Sequence, residues 1–283
     1  MQALARKDKG FLYLETHAGR GAYDLAKSDE GRASAPAIER VIADASEASA
    51  HSPAQPEMVA YARAIEAWRS RTDVALAYPG SPLIAAMQLR AQDRAVLIEL
   101  LPNEAADLGH ALAVGCAAHV ARVVAGDGFE QLKAFLPPAE RRGLTLIDPP
   151  YEEARQELAR IEAALAEALR RFATGIVAVW YPIKDARDTA AWLAALRPQI
   201  ARETLVSELW LHPCDSRVAL NGSGLLIVNP PYGIAERMRV WLPALLALLD
   251  PTRAGDATGT SSATGTRSAS GTRSSSGTSV RLL

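Results

Sequence analysis

Residues 143–169 read GLTLIDPPYEEARQELARIEAALAEAL. An apolar run ends in an acid, two prolines and a tyrosine, and a long amphipathic stretch follows. That is a strand, a tight loop and a helix. The same order recurs on both sides of it. RAVLIELLPNEAADL (94–108), HVARVVAGDGFEQLKAFL (119–136) and GIVAVWYPIKDARDTAAWLAAL (175–196) each run strand, loop, helix. Strands that alternate with helices predict a mostly parallel sheet covered on both faces, with right-handed crossovers.

The flanks complete this frame. GFLYLETHAG (10–19) is a short buried strand closed by a tight loop, and GAYDLA (21–26) opens a polar segment with no clear strand. From Pro36 to about Arg71 the pattern is helical, interrupted by HSPAQPE (51–57), because each proline disfavours helix at the residue before it. AYPGSPLIAAMQL (77–89) reads as a turn into a helix, with Ser81 as cap and Pro82 at the first helical site. Near the end, ETLVSELWL (203–211) and SGLLIVNPPY (223–232) are strands separated only by a loop, which predicts an antiparallel hairpin before a last helix over about 235–249. The domain is expected to span 1–252. From Arg253 onward the chain is Ser/Thr/Gly-rich, with too little apolar area to offset chain entropy, and a disordered tail over 253–283 is expected.

The 283 residues are 49% hydrophobic and 22% charged, with a net charge of -1, which argues against a nonspecific nucleic-acid coat but allows local basic patches. The two cysteines, Cys116 and Cys214, form no metal signature and no disulfide scaffold, so no metal is expected and a reducing cytoplasm is the expected setting. No apolar run reaches membrane-span length, so no membrane association is expected. Nothing points to an obligate protein partner, and a monomer is expected.

In an open parallel sheet, ligands lie beyond the C-terminal strand ends, so the loops after the strands hold the candidate site. In ETHAGRG (15–21), Gly19 and Gly21 let the backbone pass close to a ligand, and His17 suits either a ligand contact or a structural hydrogen bond. Glu99, ending the second strand read along the chain, can accept from ribose hydroxyls or stand as a solvated strand-end carboxylate. In GDGFEQL (126–132), Asp127 can accept from an adenine amino group, cap the helix that follows, or do both, while Gly128 admits the ring.

DPPY (148–151) suits methyl transfer to an exocyclic amine. Such an amine is a poor nucleophile because its lone pair is delocalised into the ring. The Asp148 carboxylate and the Pro149 carbonyl can accept its two N–H bonds, draw the nitrogen toward tetrahedral geometry and free the lone pair. Pro149 and Pro150 remove two backbone N–H donors and leave an acceptor-only edge, and Tyr151 is expected to stack on the base. The second motif, NPPY (229–232), ends the last strand, which in the usual order of this fold lies away from the cofactor crevice. It is read as a turn, with a supporting contact to RNA as the alternative.

Together, FLYLETHAGRGAYDL, YPGSPLIA, GDGFEQLKAFLPPAERRGLTLIDPPYE, RFATGIVAVWYP and GSGLLIVNPP resemble the 23S ribosomal RNA adenine-N6 methyltransferase family RlmJ. The resemblance covers about Gly10 to Leu249. It implies an α/β fold, a Rossmann-like, mostly parallel seven-stranded sheet with an antiparallel C-terminal hairpin and a small helical insertion at about 34–90. It implies S-adenosylmethionine as cofactor, held by His17, Ser81, Glu99, Asp127, Gly128 and Asp148, with Asp148 catalytic and Pro149, Pro150 and Tyr151 around the target base. The implied substrate is an adenine of bare 23S rRNA. DNA adenine or protein glutamine methylation are alternatives from the same chemistry, and an inactive cofactor-binding form is another.

Two departures from the family pattern stand out. A His- and Lys-containing segment of roughly two dozen residues precedes the family's equivalent of Met1; a start codon assigned too late is the expected cause, and a shortened form is the alternative. The Ser/Thr/Gly tail is also not part of the pattern. For RNA contact, the candidates are Lys7, Lys9, Arg20, Arg141, Arg142, Arg170 and Arg171.

Overall fold

The computed structural model describes residues 1–51, 55–115, 117, 119–151, 154–212, 220–250 and 276–283. Cys116, Cys214, part of the 51–57 helix breaker and residues 253–275 of the expected tail lie outside them.

Chain order begins with α1 (Gln2–Ala5), β1 (Leu12–Glu15), β2 (Ala22–Asp24), α2 (Asp29–His51), α3 (Pro56–Arg69), β3 (Ala77–Pro79) and α4 (Ser81–Ala86). The repeating part follows as β4 (Arg94–Glu99), α5 (Pro102–Val114), β5 (Ala121–Ala125), α6 (Gly128–Phe135), β6 (Gly143–Ile147), α7 (Ala154–Arg171), β7 (Ile176–Ile183) and α8 (Ala186–Leu196). The chain closes with β8 (Thr204–Trp210), β9 (Gly222–Val228), α9 (Ile234–Leu249) and β10 (Gly277–Leu282).

The main sheet runs β10-β8-β9-β7-β6-β1-β4-β5. β6, β1, β4 and β5 pair in parallel, as do β6 and β7, whereas β9 is antiparallel to both β7 and β8. This confirms the mostly parallel α/β sheet with an antiparallel C-terminal end.

Strand alternation sorts the core onto two faces. Leu12 and Leu14 of β1 pack on one face with Ile161 and Leu165 of α7 and Leu193 of α8. Tyr13 packs on the other with Leu83 of α4 and Leu108 of α5. α9 covers the antiparallel end, setting Met238 and Leu242 on Leu205 and Ile227. Each fully buried Leu or Ile contributes about 1.5–3 kcal/mol. Among the described residues no helix is long and apolar enough to cross a membrane.

Four expectations need correction. Among the described residues the sheet has eight strands, not seven, because residues 277–282 leave the expected disordered tail and pair antiparallel with β8. Leu283 packs against the main core, and Arg281 ion-pairs with Glu208 at 2.6 Å. The Tyr181 hydroxyl reaches the same carboxylate at 3.0 Å by crossing β9 at Gly224, where a Cβ would lie 2.1 Å from the ring. So a strand of ordinary polar composition is held by a three-residue lock that pattern does not reveal.

Second, GAYDLA contains β2, which pairs with β3 in a separate two-stranded ribbon. Third, α2 starts at Asp29, not near Pro36, because the Ser28 hydroxyl accepts from the Gly31 amide at 2.9 Å and two acids favour the first turn. Fourth, Ser81 is not the cap of α4. Gly80 holds that position, and the Ser81 hydroxyl donates to Glu15.

Candidate active site

Because β1, β4, β5 and β6 are parallel, the loops after them meet at one edge of the sheet. Their contacts tie the predicted residues into one site. The Gly19 amide donates to the Glu99 carboxylate at 2.8 Å, joining the loops of β1 and β4. The Leu101 amide donates to the other Glu99 oxygen at 2.8 Å. His17 sits edge-on to Phe129 with ring centroids 4.7 Å apart, joining the loops of β1 and β5.

Two glycines here suit their positions, Gly128 without alternative. Gly19 has φ +61, and a Cβ would meet the Tyr23 hydroxyl at 2.5 Å. At Gly128 a Cβ would lie 1.8 Å from the Thr16 carbonyl oxygen, so α6 can begin against the end of β1 only without a side chain.

Asp127 caps α6, accepting from the Phe129 amide at 2.9 Å and the Glu130 amide at 3.3 Å. Its second oxygen pairs with Arg160 at 2.5 Å. Burial raises its pKa, but Arg160 and the two amides outweigh burial and hold the carboxyl below its ordinary value. His17 is pushed down to about 4, first by burial, with Arg160 adding and Asp127 opposing. It is therefore a neutral imidazole at physiological pH, and its Nδ1 lies 2.8 Å from the Thr16 hydroxyl.

Asp148 follows the last residue of β6. Burial pushes its carboxyl up to about 6. Among the described residues no donor reaches it, so its oxygens remain open as acceptors. Pro149 is buried and Pro150 exposed.

Tyr151 departs from its expected role. It is only 4% exposed, has φ +59, and its hydroxyl donates to the Trp180 carbonyl. Its ring meets Trp180 edge-on at 5.7 Å. It buttresses the loop from behind and is not free to stack on a base. Its ring helps line a cavity of about 330 Å³ with Tyr181, Lys184 and Trp192.

Sequence reasoning missed two residues of this edge. Glu15 is fully buried, with Tyr13 donating at 2.9 Å and Ser81 donating to its other oxygen. Those donors favour the anion, but burial wins and pushes the carboxyl up to about 8, with the charge of Asp148 adding. An acid closing an otherwise apolar strand was the available signal. Lys184 donates to the Tyr151 carbonyl at 3.3 Å from the end of β7, a contact no local pattern announces.

A wound parallel sheet with glycines and acids gathered at its C-terminal edge defines a Rossmann-like α/β protein built to hold a nucleoside-type ligand. The family model described as "Ribosomal RNA large subunit methyltransferase D, RlmJ" matches residues 8–260, and the chain belongs to that family. It is 37% identical over 258 residues to "Ribosomal RNA large subunit methyltransferase J" of Escherichia coli, covering 91% of this chain and 89% of that protein. The protein of the same description from Haemophilus influenzae is 36% identical over 261 residues, with the same coverage. The crystal structure of protein LPL1258 from Legionella pneumophila is 31% identical, covers 99% of this chain and 91% of that one, and superposes with a TM-score of 0.77.

Proposed function

We propose that this chain transfers a methyl group to the N6 amine of an adenine in 23S rRNA, with Asp148 as the catalytic residue. The observation that carries the reading is the open Asp148 carboxylate at the end of β6, next to two prolines that offer no N–H. The residues fit the proposed cofactor, S-adenosylmethionine. Gly128 lets α6 start directly against the end of β1, which brings the Asp127 loop beside the β1 loop, and Glu99 is held by two amides with acceptor capacity to spare for ribose hydroxyls. When bound, S-adenosylmethionine supplies an electrophilic methyl group on a sulfonium.

His17, Gly19, Ser81, Glu99, Asp127 and Gly128 form the cofactor side. Asp127, with one oxygen on the cap and one on Arg160, needs its remaining lone pairs for an adenine amine. Ser81 acts through Glu15. On the substrate side, Asp148 and the Pro149 carbonyl accept from the target amine and turn its lone pair toward the methyl group, which is catalysis by positioning and matched hydrogen bonding. Tyr151 holds that loop in place. The target adenine must leave its stack to reach the loop.

The test is transfer of labelled methyl to unmodified 23S rRNA, duplex DNA and protein in parallel. N6-methyladenosine in the RNA alone is expected. Label appearing only in DNA or on a glutamine amide would replace this reading with one of the alternatives.

A further inference from the structure

We propose that the N-terminal edge of the sheet, opposite the methyl-transfer loop, is a second RNA-binding surface that grips the phosphate backbone through Lys7, Lys9, Arg141 and Arg142. This rests on the reading of RNA as substrate given above.

Six of the seven cations singled out in the sequence lie on this edge. The turn over 6–10 feeds β1, and Arg141 and Arg142 precede β6, whose first residue, Gly143, pairs with Leu12. Arg170 and Arg171 end α7 on the same side, but both are tied to Glu167.

The turn is pinned rather than loose. Arg90 donates to the carbonyls of Ala5 and Lys7 at 3.0 Å. Arg142 donates to those of Leu4 and Lys9 at 2.6 Å, and Gln92 donates to that of Asp8 at 3.2 Å. A Cβ at Gly10 would lie 2.1 Å from the Gln92 carbonyl, so the turn sits tight on its neighbour. Held this way, it presents Lys7 and Lys9 to solvent with little backbone freedom left to lose on binding.

Charge is unbalanced here. Buried Asp93 is satisfied by Arg90 and Glu140 by Arg94. Among the described residues, Lys7, Lys9, Arg141 and Arg142 have no carboxylate partner, and Asp8 is the carboxylate left over beside them. The catalytic edge is the reverse. Arg20 is spent on Glu104 and Arg160 on Asp127, whereas among the described residues Glu99 and Asp148 have no cation paired to them. A phosphate backbone approaching that edge meets carboxylates beside a single lysine, Lys184, that is already committed to the Tyr151 carbonyl, so a stronger electrostatic grip is available at the opposite edge. The edges are separated by strands of about five residues, on the order of 17 Å. That is less than one turn of a nucleic-acid duplex, about 34 Å, so one folded RNA can touch both.

The test compares the unaltered chain with Lys7→Glu/Lys9→Glu/Arg141→Glu on a long 23S rRNA transcript and on a short hairpin around the methylated adenine. For the transcript, KM should rise about ten-fold and the slope of log affinity against log salt should flatten by about 2 to 3. The kcat, the cofactor affinity and turnover of the hairpin should stay unchanged, and Lys7→Gln/Lys9→Gln should give a smaller rise in KM. Unchanged KM and salt slope in the triple variant, while the unaltered chain methylates RNA, would overturn this surface and leave the proposed function standing. An equal loss on the hairpin would also overturn it. A loss seen only on ribosomal particles would assign the edge to a protein partner instead. No methylation or binding of RNA by the unaltered chain would remove both readings.

Discussion

The chain carries two versions of one motif, Asp148-Pro-Pro-Tyr151 and Asn229-Pro-Pro-Tyr232, and they end up at opposite edges of one sheet. β6 is parallel to its neighbours, so Asp148 emerges at the C-terminal edge. β9 is antiparallel, and its last residue, Val228, lies beside Val177 and Thr204 at the starts of β7 and β8. The side chains are used in opposite ways. The Asn229 amide donates to the carbonyls of Ala173 and Gly175 at 3.0 and 2.7 Å, so it is consumed in holding the entry to β7. Asp148 is left open. Tyr151 is 4% exposed and Tyr232 98% exposed. A short motif therefore specifies a local shape, whereas strand direction and the remaining hydrogen-bonding capacity decide whether it can act.

The sharpest way to break this contrast is with glycines. Gly128→Ala places a methyl on the Thr16 backbone and should cost about 3 kcal/mol of stability, with loss of cofactor affinity in calorimetry. At the other edge, the atoms nearest to a Cβ at Gly175 belong to the Phe172 side chain, at 2.4 Å, and not to backbone, so Gly175→Ala should cost less, about 1–2 kcal/mol by denaturant titration. Equal costs would mean the catalytic edge is no more tightly built than the other.

Asn229→Ala should lose about 2 kcal/mol, since two carbonyls lose their donor, with turnover of the surviving fold unchanged. Reduced turnover at full folding would bring NPPY back into the chemistry. Tyr151→Phe removes one buried hydrogen bond and should cost about 1 kcal/mol, whereas Tyr232→Phe should be silent within about 0.5 kcal/mol.

The pH dependence is smaller and has a defined sign. Acceptance from an amine needs the Asp148 carboxylate, so kcat/KM should fall as pH drops through about 6. Stability runs the other way. Glu15 and Asp148 have raised pKa values in the fold. Their contribution is full below the ordinary carboxyl range and is lost as pH rises through about 6 for Asp148 and about 8 for Glu15. Glu15→Gln should therefore melt higher than the unaltered chain above pH 8, and an unchanged difference across pH would contradict the buried acid.

How far the site can be read from sequence follows from how local each signal is. The β6–DPPY–α7 unit is legible because the apolar run, the prolines and the amphipathic period are contiguous, and repetition of that unit yields the sheet. Asp127 as a cap is equally local, whereas the close approach at Gly128 is to the distant Thr16 backbone and no local pattern announces it. Ser81 is not, since its partner Glu15 is 66 residues away. Tyr151 looks like a stacking residue until a left-handed backbone turns it toward Trp180. β10 is hidden by its Ser/Thr/Gly surroundings, and its place comes from distant partners, the open edge of β8, the Tyr181–Glu208–Arg281 lock and the α9 cluster that takes Val280.

The two motifs are separated most directly by mapping N6-methyladenosine in 23S rRNA treated side by side with Asp148→Ala and Asn229→Ala. Asp148→Ala should lower methylation by about 10²–10³-fold while still binding S-adenosylmethionine, and Asn229→Ala should methylate at the unaltered rate. Methylation retained in Asp148→Ala, or lost in a folded Asn229→Ala, would contradict the assignment of chemistry to the C-terminal edge.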